Sequence, residues 1–213
     1  MLGFILSKLN LLILVVAIFA IVSFFAFNLI DIVKVYEGRL LLDQLSSKAF
    51  ALASSPAYCF SDSYDLPRSI VVGGDEVFYV VKISKQSVNI TNPDGTQAPI
   101  TVVIFSLIPR VQYLQFIRGD LPNEPPSVAA SSFRTSASVN LYSPDYLGEE
   151  YGDTGASFLK GPDDPIFIDP NTRQPYNTLE FRKEIRSGLE YVYFFPCSTV
   201  GQSNCDIVKN NIA

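Results

Sequence analysis

Hydrophobic residues follow two successive patterns over the first quarter of the chain. The run from Leu9 to Ile30 contains no charged residue, whereas later apolar residues recur at three- and four-residue spacing among charged ones. The second pattern places one apolar stripe on a helix, made by Ile32, Val35, Leu42, Leu45, Ala49 and Leu52. We therefore predict one helix from about Phe4 to Ser54, ended by Pro56, because the residue before a proline is driven out of the helical region.

Beyond this helix, short runs rich in Val, Ile and aromatic residues are typical of β-strands. We expect buried strands at Ile100–Ile108 and Leu189–Phe195, a hairpin around Gly73-Gly74-Asp75, edge strands at Val111–Ile117 and Ser138–Tyr142, and a helix at Thr178–Ser187. The predicted fold class is α+β. A long N-terminal transmembrane and amphipathic helix in residues 1–55 packs on an antiparallel, β-rich extracellular head in residues 56–213.

The uncharged run is long enough to cross a membrane. Its roughly 22 residues, at ~1.5 Å each, match the ~30 Å hydrocarbon core, so we predict a span at about 9–30. Lys8 and the terminal amine form the only basic flank, which places the N-terminus in the cytoplasm and the head outside the cell. Assembly into an extracellular filament is the other expected location, since hydrophobicity does not separate a lipid core from a filament core.

Three polar residues interrupt the apolar run. Asn10, Ser23 and Asn28 are costly against lipid but find partners against other helices. This favours self-association through the N-terminal helix. The alternative that Asn10 and Asn28 lie near the two membrane interfaces stays open.

The chain contains three cysteines. Cys197 and Cys205 bracket a short polar loop, and outside the cell a disulfide between them is the favoured interpretation. Cys59 is left as a buried thiol, or as a partner for one of the other two.

Two further surface features are candidates for modification or binding. Asn89-Ile90-Thr91 has the form of a glycosylation acceptor, although such triplets also arise by chance. The irregular segments 119–137 and 143–165 are long enough to be partner-binding loops.

Charge and composition exclude several classes of function. A net charge of -5 without clustered Lys or Arg argues against nucleic acid. The chain has no His, and we find no convincing nucleophile with a base, no phosphate loop and no zinc ligand set, so neither an enzyme nor a cofactor is expected. Acidic residues could gather as a calcium site, although a solvated surface is the preferred interpretation; they are Asp145, Glu149, Glu150, Asp153, Asp163, Asp164 and Asp169.

The arrangement of an apolar-then-amphipathic helix, a β-rich head and a C-terminal cysteine pair resembles type IV pilins and related pilin-like proteins of bacteria and archaea. In that family a peptidase cuts after a glycine, and Gly3-Phe4 is the matching bond here. Lys8 stands where the family commonly has an acidic residue. The resemblance implies a structural subunit whose helices bundle in a filament core while the heads form the surface.

Two functional hypotheses follow. The first is this pilin-like subunit of a filament or cell-surface assembly, with the exposed head used for adhesion or intersubunit contact. The second is a signal-anchored receptor or accessory protein that binds a ligand or partner through its head.

Overall fold

The computed structural model describes residues 2–72, 74–91, 95, 97–142, 165–172 and 177–197. Within the long helix, side chains are described at 11–24 and from 33 onward. The helices are α1 (Leu2–Ala53) and α2 (Arg110–Ile117). The strands are β1 (Cys59–Asp65), β2 (Ile70–Val72), β3 (Asp75–Val77), β4 (Tyr79–Thr91), β5 (Gln97–Pro109), β6 (Ala129–Thr135), β7 (Ser138–Leu141), β8 (Ile166–Ile168), β9 (Thr178–Arg186) and β10 (Leu189–Cys197).

The strands form two four-stranded sheets and one short hairpin. The first sheet has the order β1-β9-β10-β7, the second has the order β6-β5-β4-β8, and β2 pairs with β3. All pairs are antiparallel except β10 with β7, which is parallel. The head, predicted to be antiparallel, therefore contains one parallel pair at this edge. No short hairpin joins these two strands, so no tight turn imposes an antiparallel direction on them.

One hydrophobic core lies between the two sheets and the C-terminal part of α1. Phe105 and Phe133 of the second sheet contact Phe194 of the first, with ring centroids 6.0 and 6.3 Å apart. The helix packs against β6 and β5 on one side and against β1 and β9 on the other. It therefore closes the core where the edge strands β6 and β1 leave it open.

The segment expected as a second helix is strand β9. Leu179, Phe181 and Lys183 alternate toward the core, and β9 turns into β10 through Ser187 and Gly188, whose φ angles are 51° and 79°. Two residues with positive φ form the tight turn that matches the twist of a hairpin. The pairing of β9 with β1 on one side and with β10 on the other, together with this turn, therefore overrides the helical interpretation of Thr178–Ser187.

The reverse error occurs at Val111–Ile117, which we expected as an edge strand and which lies in α2. Pro109 stands at the helix N-cap, and Gly119, with a φ of +82°, receives the chain after the last turn. Its N–H donates to the carbonyl of Phe116 at 3.0 Å. Proline before a helix and glycine after it are ordinary boundary signals.

The predicted membrane span is also corrected. Among the residues that the structure describes, no helix is long and apolar enough to cross a membrane. The transmembrane helix in the predicted fold class and the single-pass localisation are therefore wrong.

The predicted disulfide is likewise not found. The described part of the chain contains no disulfide; Cys197 ends β10 opposite Thr178, and Cys205 lies outside the described residues. Cys59, expected as a buried thiol, is free and exposed. Of the two features behind the pilin-like description, the membrane helix is absent from the described residues, and the disulfide between Cys197 and Cys205 falls outside them.

Candidate assembly surface and helix–head joint

The most unusual surface of the molecule is the part of α1 between residues 11 and 24, which we name the assembly segment. Its eleven large apolar side chains are 54 to 73% exposed. Six of them, Leu11 to Val16, are consecutive, and at about 100° per residue they point in every direction around the helix axis. The segment is therefore apolar on all sides, without a polar face to turn toward water.

The second half of α1 is packed against the head, and we name this contact the helix–head joint. It begins at Gly38, where an added Cβ would lie 3.5 Å from Leu107 and 3.7 Å from Ala129. From there to the helix end, one stripe is buried, consisting of Leu41, Leu42, Leu45, Ser46, Ala49, Leu52 and Ala53. Burying a Leu side chain contributes about 1.5–3 kcal/mol, so this stripe is the main source of the joint's stability.

Polar contacts flank the buried stripe on both sides. The Ser131 hydroxyl of β6 donates to the Asp43 carboxylate at 2.7 Å, and the Tyr64 hydroxyl of β1 donates to Gln44 Oε1 at 3.1 Å. Burial raises the pKa of the Tyr64 phenol, which keeps this donor protonated. Because β6 and β1 belong to different sheets, these contacts hold the helix across both.

A buried lysine secures the end of the helix. Lys183 Nζ, which projects inward from β9, donates to the carbonyls of Ala53 at 2.8 Å and Ser55 at 2.7 Å. It also pairs with Glu190 at 3.2 Å. The last carbonyls of a helix lack partners within the helix and carry its negative dipole end, so a cation there satisfies both needs.

Sequence reasoning missed Lys183, because the surrounding residues were expected to form a helix. The available signal was the alternation in Leu179-Glu180-Phe181-Arg182-Lys183, which puts the lysine on the same face as two core residues. A lysine on the apolar face of a strand requires a partner in the core.

The candidates for helix packing lie in or beside the assembly segment. Ser23 is half-buried, while the side chains of Asn10 and Asn28 lie outside the described residues. Asn89 is exposed in strand β4, where it pairs with Pro99 of β5, and its modification is not tested.

The two segments expected to bind partners have different outcomes. Segment 119–137 includes strand β6, which is paired with β5 and is therefore part of the sheet rather than a loop. Most of segment 143–165 lies outside the described residues.

Only one of the seven acidic residues considered for calcium is described. Asp169 accepts hydrogen bonds from Arg110 Nε at 3.0 and 2.8 Å and from the N–H of Asn171 at 2.9 Å. Within the described residues, no cluster of three or more His, Cys, Asp or Glu side chains could hold a metal ion. The carboxylate of Asp169 connects α2 to the end of β8.

No protein family, curated protein or solved structure matches the chain. The resemblance to type IV pilins and the expectation that the chain is not an enzyme therefore stay predictions from the sequence.

Proposed function

We propose that the protein is a structural subunit that assembles with other copies of itself through α1 and carries its β head on the outside of the assembly. The observation that carries this proposal is the exposure of large apolar side chains all around the assembly segment. Apolar surface of this extent is unfavourable in water and is normally covered by another apolar surface.

The distribution of these side chains bears on the number of copies. Two packed helices cover one apolar seam on each other. An apolar surface on every side requires neighbours on every side, as in the core of a multi-helix bundle. A filament or other multi-copy assembly therefore fits the assembly segment better than a dimer does.

A second copy is the occupant that the chain itself supports. Residues 11–24 include no charged side chain, so identical segments can pack side by side without like-charge repulsion. Each segment would cover the other's Leu, Ile, Val and Phe side chains with a surface of the same kind. The helix–head joint adds to this proposal, because Lys183 and the buried stripe fix each head relative to its helix.

Substitutions inside the assembly segment test the proposal. In the full chain, Leu14→Gln with Phe19→Gln places amides on the apolar surface without touching the head. The matched control is Val71→Gln with Val111→Gln, which changes two exposed apolar residues of the head. Sedimentation velocity and electron microscopy would compare both variants with the unaltered chain.

We expect multi-copy assemblies from the unaltered chain and the control, and at least a tenfold loss of assembled material in the helix variant. An unaltered chain that stays monomeric would overturn the proposal, as would assemblies that ignore the helix substitutions. Flotation with phosphatidylcholine vesicles in place of assembly would assign the segment to lipid and also reject it.

A further inference from the structure

The β4–β5 hairpin extends beyond both of its neighbours in the sheet. β8 pairs with β4 only at Val81–Ile83, and β6 pairs with β5 only from Thr101 onward. Beyond both neighbours the hairpin itself continues through four further pairs, from Val88 opposite Ile100 to Thr91 opposite Gln97. Among the described strands, none pairs with the outer edge of β4 at Ser87–Thr91.

The two edges of this projecting ribbon differ because of one proline. Pro99 lies opposite Asn89 and has no N–H, so the two residues form a non-hydrogen-bonded pair whose backbone groups point away from each other. At the β5 edge, Pro99 therefore leaves the middle of the ribbon without a backbone N–H donor. At the β4 edge, the N–H and C=O groups of Asn89 point outward.

The same alternation places the backbone groups of Ser87 and Thr91 at the open β4 edge. It agrees with the start of the hairpin, where the N–H of Arg110 donates to the carbonyl of Phe78 at 3.1 Å, so that the even-numbered residues of β4 turn their backbone groups toward β5. The open edge thus presents the donors and acceptors of Ser87, Asn89 and Thr91.

Chemical protection is absent from this edge. Natural edge strands are usually blocked by charged residues, proline or a bulge. Residues 86–91 are all exposed and include neither a charge nor a proline, and Val88 and Ile90 add exposed apolar side chains on one face. Such an edge accepts a further strand.

We propose that the open edge of β4, residues Ser87–Thr91, docks the same edge of a second copy, with the two strands antiparallel about a two-fold axis at Asn89. In this register Asn89 pairs with its own copy and Ser87 pairs with Thr91 of the other chain. The outward-facing backbone groups of Ser87, Asn89 and Thr91 are then all hydrogen-bonded to the second copy. Because Pro99 blocks the β5 edge, ribbons do not stack head to tail, and the contact closes as a symmetric pair.

Self-pairing is also favoured by charge. The chain carries a net charge of -5, yet this edge is neutral, so two copies meet there without local repulsion. The two-fold arrangement brings Val88 and Ile90 of both copies onto one face of a four-stranded ribbon. The contact involves no residue of α1, so it does not depend on helix assembly.

Site-directed disulfide cross-linking in the full chain tests the register. Hydrogen-bonded antiparallel pairs have Cα atoms about 5.5 Å apart, within disulfide range, so Asn89→Cys should cross-link to its copy. Gln97→Cys, on the blocked edge of the same ribbon, is the matched control. Three strand spacings of about 4.8 Å would separate it from its copy. Both variants carry Cys59→Ser, because Cys59 is exposed.

We expect mild oxidation to give at least tenfold more covalent dimer from Asn89→Cys than from Gln97→Cys. Adding Ser87→Pro to the Asn89→Cys chain removes an outward N–H but no bond to β5, and should lower the dimer yield by a similar factor. Equal yields from positions 89 and 97, or none from either, would overturn the proposal. An undiminished yield with Ser87→Pro would reject backbone pairing.

Discussion

Two parts of helix α1 differ in whether their apolar side chains are covered by the rest of the chain. In residues 11–24 the large apolar side chains are exposed on all sides, whereas from Gly38 to Ala53 one apolar stripe is buried under two sheets and only Leu40 and Phe50 are large apolar side chains left about half exposed. The backbone is helical through both parts. The two parts differ in what covers their apolar side chains. The head covers those between Gly38 and Ala53, and we propose that other copies of the chain cover those of the assembly segment.

This difference shows how one element performs two tasks. Charged residues such as Arg39, Asp43 and Lys48 lie beside the buried stripe, where they are exposed or half-exposed to water. Without such residues, the assembly segment has no side that water favours. The distribution of charged residues along α1 thus determines which part of the helix is covered by the head of its own chain and which part stays exposed.

The largest expected effect comes from the buried stripe. Leu45→Ala should lower the free energy of unfolding by about 2–5 kcal/mol, because it removes a fully buried side chain and leaves a cavity. Leu14→Ala, in the assembly segment, should leave unfolding of the head unchanged. Urea denaturation followed by near-ultraviolet circular dichroism of the tyrosines would measure both. Equal losses of unfolding free energy in Leu45→Ala and Leu14→Ala would contradict the difference between the buried stripe and the assembly segment.

Lys183 provides the next test. Lys183→Met should cost about 1.5–3 kcal/mol of unfolding free energy, since two carbonyls at the helix end lose a charged donor. Lys48→Met is the control: Lys48 pairs with Asp62 at 3.1 Å, but it is partly exposed, so about 1 kcal/mol or less is expected. If Lys183→Met were no more costly than Lys48→Met, the lysine would not secure the joint.

The smallest effect has the opposite sign. Gly38→Ala should raise the unfolding free energy by up to about 1 kcal/mol, because alanine favours a helix and its Cβ meets Leu107 at an ordinary contact distance of 3.5 Å. Gly188→Ala is the contrasting control and should destabilise the head by about 1 kcal/mol, since its φ is +79°. Thermal denaturation would rank the two. A loss of stability in Gly38→Ala would mean that the joint tolerates no added atom there.

Parts of the fold were predictable because they depend on local composition. The Val- and Ile-rich run 100–108 lies in β5, between two strands, and LEYVYFF lies in β10. Leu42, Leu45, Ala49 and Leu52 are buried as the helical spacing predicted, although Val35 is 43% exposed because the head does not reach it.

The misses have one physical cause in common. β9 was mistaken for a helix and α2 for a strand because short amphipathic runs satisfy either period, and only their neighbours in the sheets decide between them. Lys183 and the parallel β7–β10 pair depend on contacts between distant parts of the sequence. Such contacts leave no pattern within a single window of residues.

The capped end of α1 has a geometric consequence. Since Lys183 and the buried stripe fix the helix in the head, the direction in which the head points is set by helical phase. Each residue inserted between Phe24 and Gly38 would turn the head by about 100° around the assembly segment, while seven would bring it back to within about 20°. The number of residues between Phe24 and Gly38 therefore sets the direction in which each head points from the axis of the helix in an assembly.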